Sequence, residues 1–302
     1  MGLRNGLSEE LNRQGNEHFA RGHYTEAYAC YAKALECDRL TGDHRALSAT
    51  LGNLGNICAV SGRRESAQSY YQEVLELQKV LGDDKGIGTT LANLGNLRAD
   101  AGEWDRARAY YLEALDIMTR VHDELGKAVL FSDLGLVARE TGQCEDALRY
   151  YEQSLVLMRR LNNQGGVADA WRMMGRTFAI QKRYEDAIAC CQTSQSIAER
   201  SRDELRAGGA RYVLAQCYED LGQLQVAVEL LEQVVRMDRK YDLPKLAENT
   251  TRLERLRASK GREMGPSPLE CIEVKSPGTG EDGWALTTTP KGMEIQKASQ
   301  PG

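Results

Sequence analysis

The sequence predicts an all-α solenoid of helical hairpins, and three observations carry that prediction. The stretch 51–81, LGNLGNICAVSGRRESAQSYYQEVLELQKVL, recurs with drift upstream and downstream at a fixed period of forty residues. Both halves of it set apolar residues three and four apart, Leu51, Leu54 and Cys58 and then Ala67, Tyr71, Val74 and Leu75, which is the spacing of one helix face and not of a strand. Between the halves stands Gly62, a residue that turns the backbone left-handed at little cost. Hairpins of this kind cannot bury an apolar face alone and must stack, so the repeat overrides the length-based expectation of about two ordinary domains.

Residues 1–7 read as an N-terminal extension and 8–259 as the solenoid, with hairpins at 8–42, 43–82, 83–122, 123–162, 163–202 and 203–241 and a cap at 242–259. The first small position of each hairpin is Gly15, Gly55, Gly95, Gly135, Gly175 and Ala215. Seven residues on comes the inner turn, Gly22, Gly62, Gly102, Gly142, Lys182 and Gly222, from which Lys182 departs. Five residues further stands Ala27, Ala67, Ala107, Ala147, Ala187 or Ala227, small enough for two helices to cross closely. One helical turn beyond lie Tyr31, Tyr71, Tyr111, Tyr151, Cys191 and Leu231, facing the same way and filling the interhelical space. Each helix should run about 17 residues, roughly 26 Å at 1.5 Å per residue. The junctions Gly42-Asp43, Gly82-Asp83, His122-Asp123, Asn162-Asn163 and Arg202-Asp203 end one helix and cap the next through a side-chain oxygen.

Asp242 or Leu243 begins the cap, with Pro244 inside its first turn, and Leu246, Leu253 and Leu256 supply one apolar stripe to close the open end of the array. Asn249-Thr250-Thr251 matches a glycosylation acceptor but reads as helix surface. Residues 260–302 hold five of the six prolines and no helical stripe, the composition of a disordered tail. Within it Leu269, Cys271, Ile272 and Val274 form a short apolar motif flanked by Ser267-Pro268, Ser276-Pro277 and Thr289-Pro290. Two readings stand for this tail: an inert end, which is the plainer, and an intramolecular contact with the protein's own groove, regulated by phosphorylation.

Leu51, Leu54-Gly55, Cys58, Ala67 and Tyr71, repeated six times in register, resemble the tetratricopeptide repeat over residues 8–241. The period exceeds the common 34 of that family. Together with Asn53-Leu54-Gly55-Asn56 and Asn93-Leu94-Gly95-Asn96 it is similar to the longer-helixed Leu-Gly-Asn branch of Partner of Inscuteable type scaffolds. The resemblance implies a right-handed superhelix with the first helices lining a concave groove, and a non-enzymatic scaffold or adaptor. The family's clamp for chaperone tails needs basic residues where this chain has Asn12, Ala49 and Thr89, so that role is not expected. Trp104-Asp105 is a lone dipeptide without strand alternation and does not indicate a propeller.

A net charge of −5 gives no footprint for nucleic acid, and no run approaches the roughly 18 apolar residues of a membrane span. The start MGLRNGLSEEL lacks a signal-peptide pattern, which predicts a cytoplasmic protein. Eight cysteines without a C-x-x-C pair read as mostly buried thiols. His18, His23, His44 and His122 follow no metal-ligand spacing, and His18 and His23 are expected on different faces. The Gly-rich runs at 82–88 and 163–166 lack the ending of a phosphate loop. No metal, cofactor or catalytic constellation is therefore expected, and the chain does not read as an enzyme.

What remains is surface. One row of first-helix positions holds Arg13, Asn53, Asn93, Asp133, Met173 and Val213, and the next holds Asn16, Asn56, Asn96, Leu136, Arg176 and Gln216. An amide offers both donor and acceptor, the pair that a peptide backbone presents, so the asparagines predict a ladder that holds an extended segment of another protein by its main chain. Arg172 and Arg176, with Arg139, make the far end cationic and predict an acidic ligand end. The alternative for the asparagines is bridging between helices, and for the arginines pairing with Asp133, Glu140 or Asp169. A second functional reading is a structural or regulatory subunit that binds through other faces, where Tyr70, Tyr110 and Tyr150 repeat.

Overall fold

The structure, a computed structural model, describes residues 2–263, 284–289 and 292–297. Helices α1 (Gly2–Ala20) and α2 (Tyr24–Thr41) form the first hairpin, α3 (His44–Val60) and α4 (Arg64–Leu81) the second, α5 (Asp84–Asp100) and α6 (Trp104–Arg120) the third, and α7 (Glu124–Glu140) and α8 (Cys144–Arg160) the fourth. Then come α9 (Gln164–Ile180), α10 (Tyr184–Arg200), α11 (Glu204–Asp220), α12 (Leu224–Lys240) and α13 (Leu246–Glu263). The fold is an all-α repeat solenoid. Helix α1 already runs from Gly2, so residues 2–7, set apart with Met1 as an extension, are part of the first helix. Strands β1 (Trp284–Thr289) and β2 (Gly292–Lys297) pair antiparallel inside the segment whose composition reads as disordered. The apolar motif at 269–274 lies outside the described residues.

The chain divides into two compact units, Met1–Thr177 and Phe178–Gly302. In the first, every inner turn is left-handed, with φ from 73° to 79° at Gly22, Gly62, Gly102 and Gly142. At the junctions Gly42 and Gly82 are joined in that conformation by His122 (φ 56°) and Asn162 (φ 52°), which carry side chains there. Each junction then caps the following helix. The Asp43 carboxylate accepts from the backbone N–H groups of Arg45 and Ala46, and Asp83, Asp123 and Asn163 accept from Gly86, Gly126 and Gly166, each at 2.9 Å. The second helices lack such caps; their turns close through backbone bonds such as Arg63 N–H to Cys58 C=O at 2.8 Å.

The core of this unit alternates glycine and tyrosine. A Cβ placed on Gly15, Gly55, Gly95 or Gly135 would stand 2.5 Å from Cε1 of Tyr31, Tyr71, Tyr111 or Tyr151, so each ring lies flat on a glycine backbone of the facing helix. Ala27, Ala67, Ala107 and Ala147 are fully buried in the same layer. Met118 packs over Gly88 of its own hairpin and Gly126 of the next, and Met158 over Gly166 of the next. Tyr70, Tyr110 and Tyr150 are not a free outer stripe: they are partly buried against the core, Tyr70 near Tyr28 and Tyr150 stacked on Phe131. A stripe one residue from the core tyrosines faces the same seam between hairpins, which is why it fills that seam.

In the second unit Lys182 adopts φ 60° and Arg202 φ 54°, so the lysine keeps the turn that glycine makes elsewhere. Asp203 caps α11 from its side chain. Ala187, Cys191, Ala227 and Leu231 are fully buried. Leu253 and Leu256 of α13 cover Ala227, Val228, Leu231 and Val235, closing the face that α12 would leave open. Asn249 is buried, not surface, and its amide donates to Asp238 at 2.7 Å, which leaves the glycosylation match inside the cap contact.

Candidate functional site

Within the first unit the first helices of neighbouring hairpins touch directly, α1 with α3, α3 with α5 and α5 with α7, and the second helices α2 and α4 meet through side chains, Tyr28 with Tyr70 and Arg39 with Glu73. In this unit the backbones of successive hairpins come close on the side of the first helices, here called the inner face, and the members of the two rows that belong to this unit stand on those helices.

The second row is bound into the hairpins. Asn16 Oδ1 accepts from the Tyr31 hydroxyl at 2.6 Å, and Asn56 and Asn96 accept from Tyr71 and Tyr111 at 2.7 Å. Each tyrosine buries its ring on a glycine and needs a partner for its hydroxyl at the rim; the asparagine next to that glycine supplies it. Burial pushes the Tyr71 phenol up to about 12 and Tyr111 higher still, so both hydroxyls remain donors. All three asparagines are exposed, with no residue among the described ones engaging their Nδ2 groups. The ladder is thus a row of outward N–H donors, not of balanced donor–acceptor pairs. This pairing was legible: an asparagine stands fifteen residues before Tyr31, Tyr71 and Tyr111, and Leu136 stands there before Tyr151.

The first row is less uniform. Asn53 Nδ2 donates to Asn12 Oδ1 at 3.2 Å, and Asn12 donates to Thr50, whose hydroxyl donates to the buried Asp38 carboxylate at 2.6 Å. Asn93 is partly buried and engages no described residue. Asp133 follows it, also partly buried, and burial pushes its carboxyl up to about 7.

Arg139 is not part of an open cationic end. Its side chain is 1% exposed; it donates to Glu140 at 2.8 Å and to the Tyr151 hydroxyl oxygen at 3.5 Å, a donor where the earlier hairpins set an accepting asparagine. Burial pushes the Tyr151 phenol up to about 12 against the opposing pull of Arg139, Arg176 and Arg172. Arg172 pairs with Asp169 at 3.2 Å. Arg176 is exposed beside them. In the second unit, taken by itself, Gln216 is exposed on α11.

Chemistry elsewhere is muted. Burial holds the Cys190 and Cys217 thiols up, to about 12 and about 11, far from a reactive thiolate. His18 and His23, expected on different faces, come within 6.0 Å between ring centroids, because α1 ends at Ala20 and the turn carries His23 back. Among the described residues no three His, Cys, Asp or Glu side chains cluster as metal ligands, and no helix is long and apolar enough to cross a membrane.

The tetratricopeptide repeat family model matches residues 10–79, 86–160 and 166–240. No curated protein sequence matches the chain. Among solved structures, BtubC (BKLC) from P. vanneervenii is similar at TM-score 0.56 and 18% identity, over 89% of this chain and 99% of that one. The aspartyl phosphate phosphatase F of Bacillus subtilis gives TM-score 0.65 at 10% identity, over 89% of this chain and 75% of that one. A signal-transduction ATPase from Pyrococcus horikoshii with a tetratricopeptide repeat sensor gives 0.66 at 16% identity, over 83% of this chain and 38% of that one. At these identities the likeness is one of fold.

Proposed function

The chain belongs to the tetratricopeptide repeat family, whose repeats mediate protein–protein interaction, and from that premise we propose that it is a non-enzymatic cytoplasmic scaffold that binds an extended segment of another protein along its inner face. The observation that carries this reading is the pair of Nδ2 donors on Asn56 and Asn96, one on each of two successive hairpins, with that of Asn93 in the adjacent row; none of the three engages another described residue. Donors set at one interval per hairpin suit the carbonyls of an extended main chain, and carbonyls are present whatever the ligand's sequence. An acidic part of the ligand beyond the ladder would compete with Asp169 for Arg172, with the exposed Arg176 beside it. The forty-residue period and the two Asn-Leu-Gly-Asn runs support placing the chain with the longer-helixed scaffolds of the family.

The test separates the donor from the structural acceptor. Asn56→Asp and Asn96→Asp keep an oxygen for the tyrosine hydroxyls and remove the N–H, and Asn93→Ala removes a group without a partner. At about 0.5–1.5 kcal/mol per hydrogen bond the triple variant should lose binding by on the order of a hundredfold with its helical circular dichroism intact. Immunoprecipitation with mass spectrometry, wild type against triple variant, reads this out. A partner set retained in full by the variant would instead favour a structural or regulatory subunit held through other faces.

A further inference from the structure

We propose that Asp133 is the specificity position of this inner face and receives a basic side chain, lysine or arginine, of the extended ligand; this rests on the reading of the face as a peptide groove. Asp133 follows Asn93 in the first row, so a main chain held by the asparagines passes over it. It is partly buried, yet no hydrogen bond or ion pair from a described residue reaches its carboxyl. Other charges on the same face are matched: Arg13 by Glu10 and Glu17, Arg139 by Glu140, Arg172 by Asp169. A carboxyl held partly out of water without a partner carries a free-energy cost that an asparagine, as at position 93, largely avoids. A ligand ammonium or guanidinium supplies the missing partner; a neutral side chain does not, and an acidic one is repelled.

The groups around it support the assignment. Asp100 ends α5, the Tyr111 phenol on α6 donates to Asn96, Arg139 and Glu140 on its own helix hold each other, and on α9 Arg172 is turned to Asp169 with Arg176 a turn beyond. The rise of the Asp133 carboxyl to about 7 has burial as its cause, with no cation offsetting it. The ionised, binding-competent fraction then falls from about nine-tenths near pH 8 to about one-tenth near pH 6, so affinity for a basic ligand should fall about tenfold across that interval.

The experiment uses the full chain and three pools of fluorescein-labelled degenerate peptides of about ten residues, roughly 33 Å extended, that differ only in a fixed central lysine, norleucine or glutamate. Anisotropy should place the lysine pool about tenfold tighter than norleucine near pH 8, with glutamate weakest. The advantage should vanish near pH 6 and in Asp133→Asn. Equal binding of the lysine and norleucine pools, with affinity still lost in the Asn56→Asp, Asn93→Ala, Asn96→Asp variant, overturns the assignment and leaves the groove reading standing. A lysine preference that survives Asp133→Asn also overturns it. Binding indifferent to the triple variant, or absent for every pool, overturns both.

Discussion

Replacing Gly95 by alanine opposes two effects of known size. In a helix interior the change gains about 0.5–1 kcal/mol, because glycine loses more backbone freedom on folding. Against this, the new Cβ would stand 2.5 Å from Tyr111 Cε1 and 2.7 Å from Cδ1, about 1 Å inside a comfortable carbon–carbon contact. The ring has nowhere to retreat: Tyr111 is 1% exposed and its hydroxyl is fixed to Asn96 at 2.7 Å. Overpacking of a well-packed site costs about 1–3 kcal/mol, and a rigid neighbour puts this case in the upper part of that range. The net expectation is a loss of about 1–2 kcal/mol, lowering the urea midpoint by roughly 0.5–1 M. The protein's own sixth hairpin suggests the rescue, since Ala215 there accompanies Leu231. Gly95→Ala combined with Tyr111→Leu should therefore be more stable than the sum of the two single effects by about 1–2 kcal/mol, read from a double-mutant cycle in urea. A rise in the midpoint for Gly95→Ala alone, or strict additivity, would refute the argument that the ring dictates the glycine.

Asp133→Asn should make stability less dependent on pH. The folded-state carboxyl sits at about 7, above its unfolded value of about 3.9, so the favourable contribution of its proton is complete below about pH 4 and is lost as pH rises through about 7. Unfolding free energies from urea titrations of variant and wild type should coincide near pH 4 and diverge in the variant's favour, by about 1–2 kcal/mol near pH 8 once solvent access is allowed for; a constant difference would contradict this. Lys182→Gly should raise the melting temperature modestly, since relief of a left-handed side chain, about 1–2 kcal/mol, exceeds the added chain entropy of about 0.4–1 kcal/mol; a lower melting temperature would mean that the lysine side chain contributes contacts that matter more than its backbone.

The repeat by itself determined the period, the turns and the caps. These are local matters: a left-handed residue at Gly62 or Gly102 and an oxygen at Asp83 or Asp123 act on backbone groups within a few residues, and forty-residue copying makes weak local signals mutually supporting. The apolar stripes likewise announced which faces are buried. What only the tertiary structure decided is what the polar side chains of the inner face are doing. Asn56 and Asn96 looked like one ladder with two free functions, but each oxygen is taken by a tyrosine from the other helix of its hairpin. Arg139 looked like part of a cationic groove, and folding turns it inward to Tyr151 and Glu140. Asp133 read as a groove residue, with pairing to the arginines as the alternative, and among the described residues none pairs with it. Hydrogen bonds and ion pairs reach only about 3 Å and depend on direction, so which of several candidate partners a polar side chain takes is fixed by how two helices cross. Hydrophobic burial has no such directionality, and its pattern can be read along the chain.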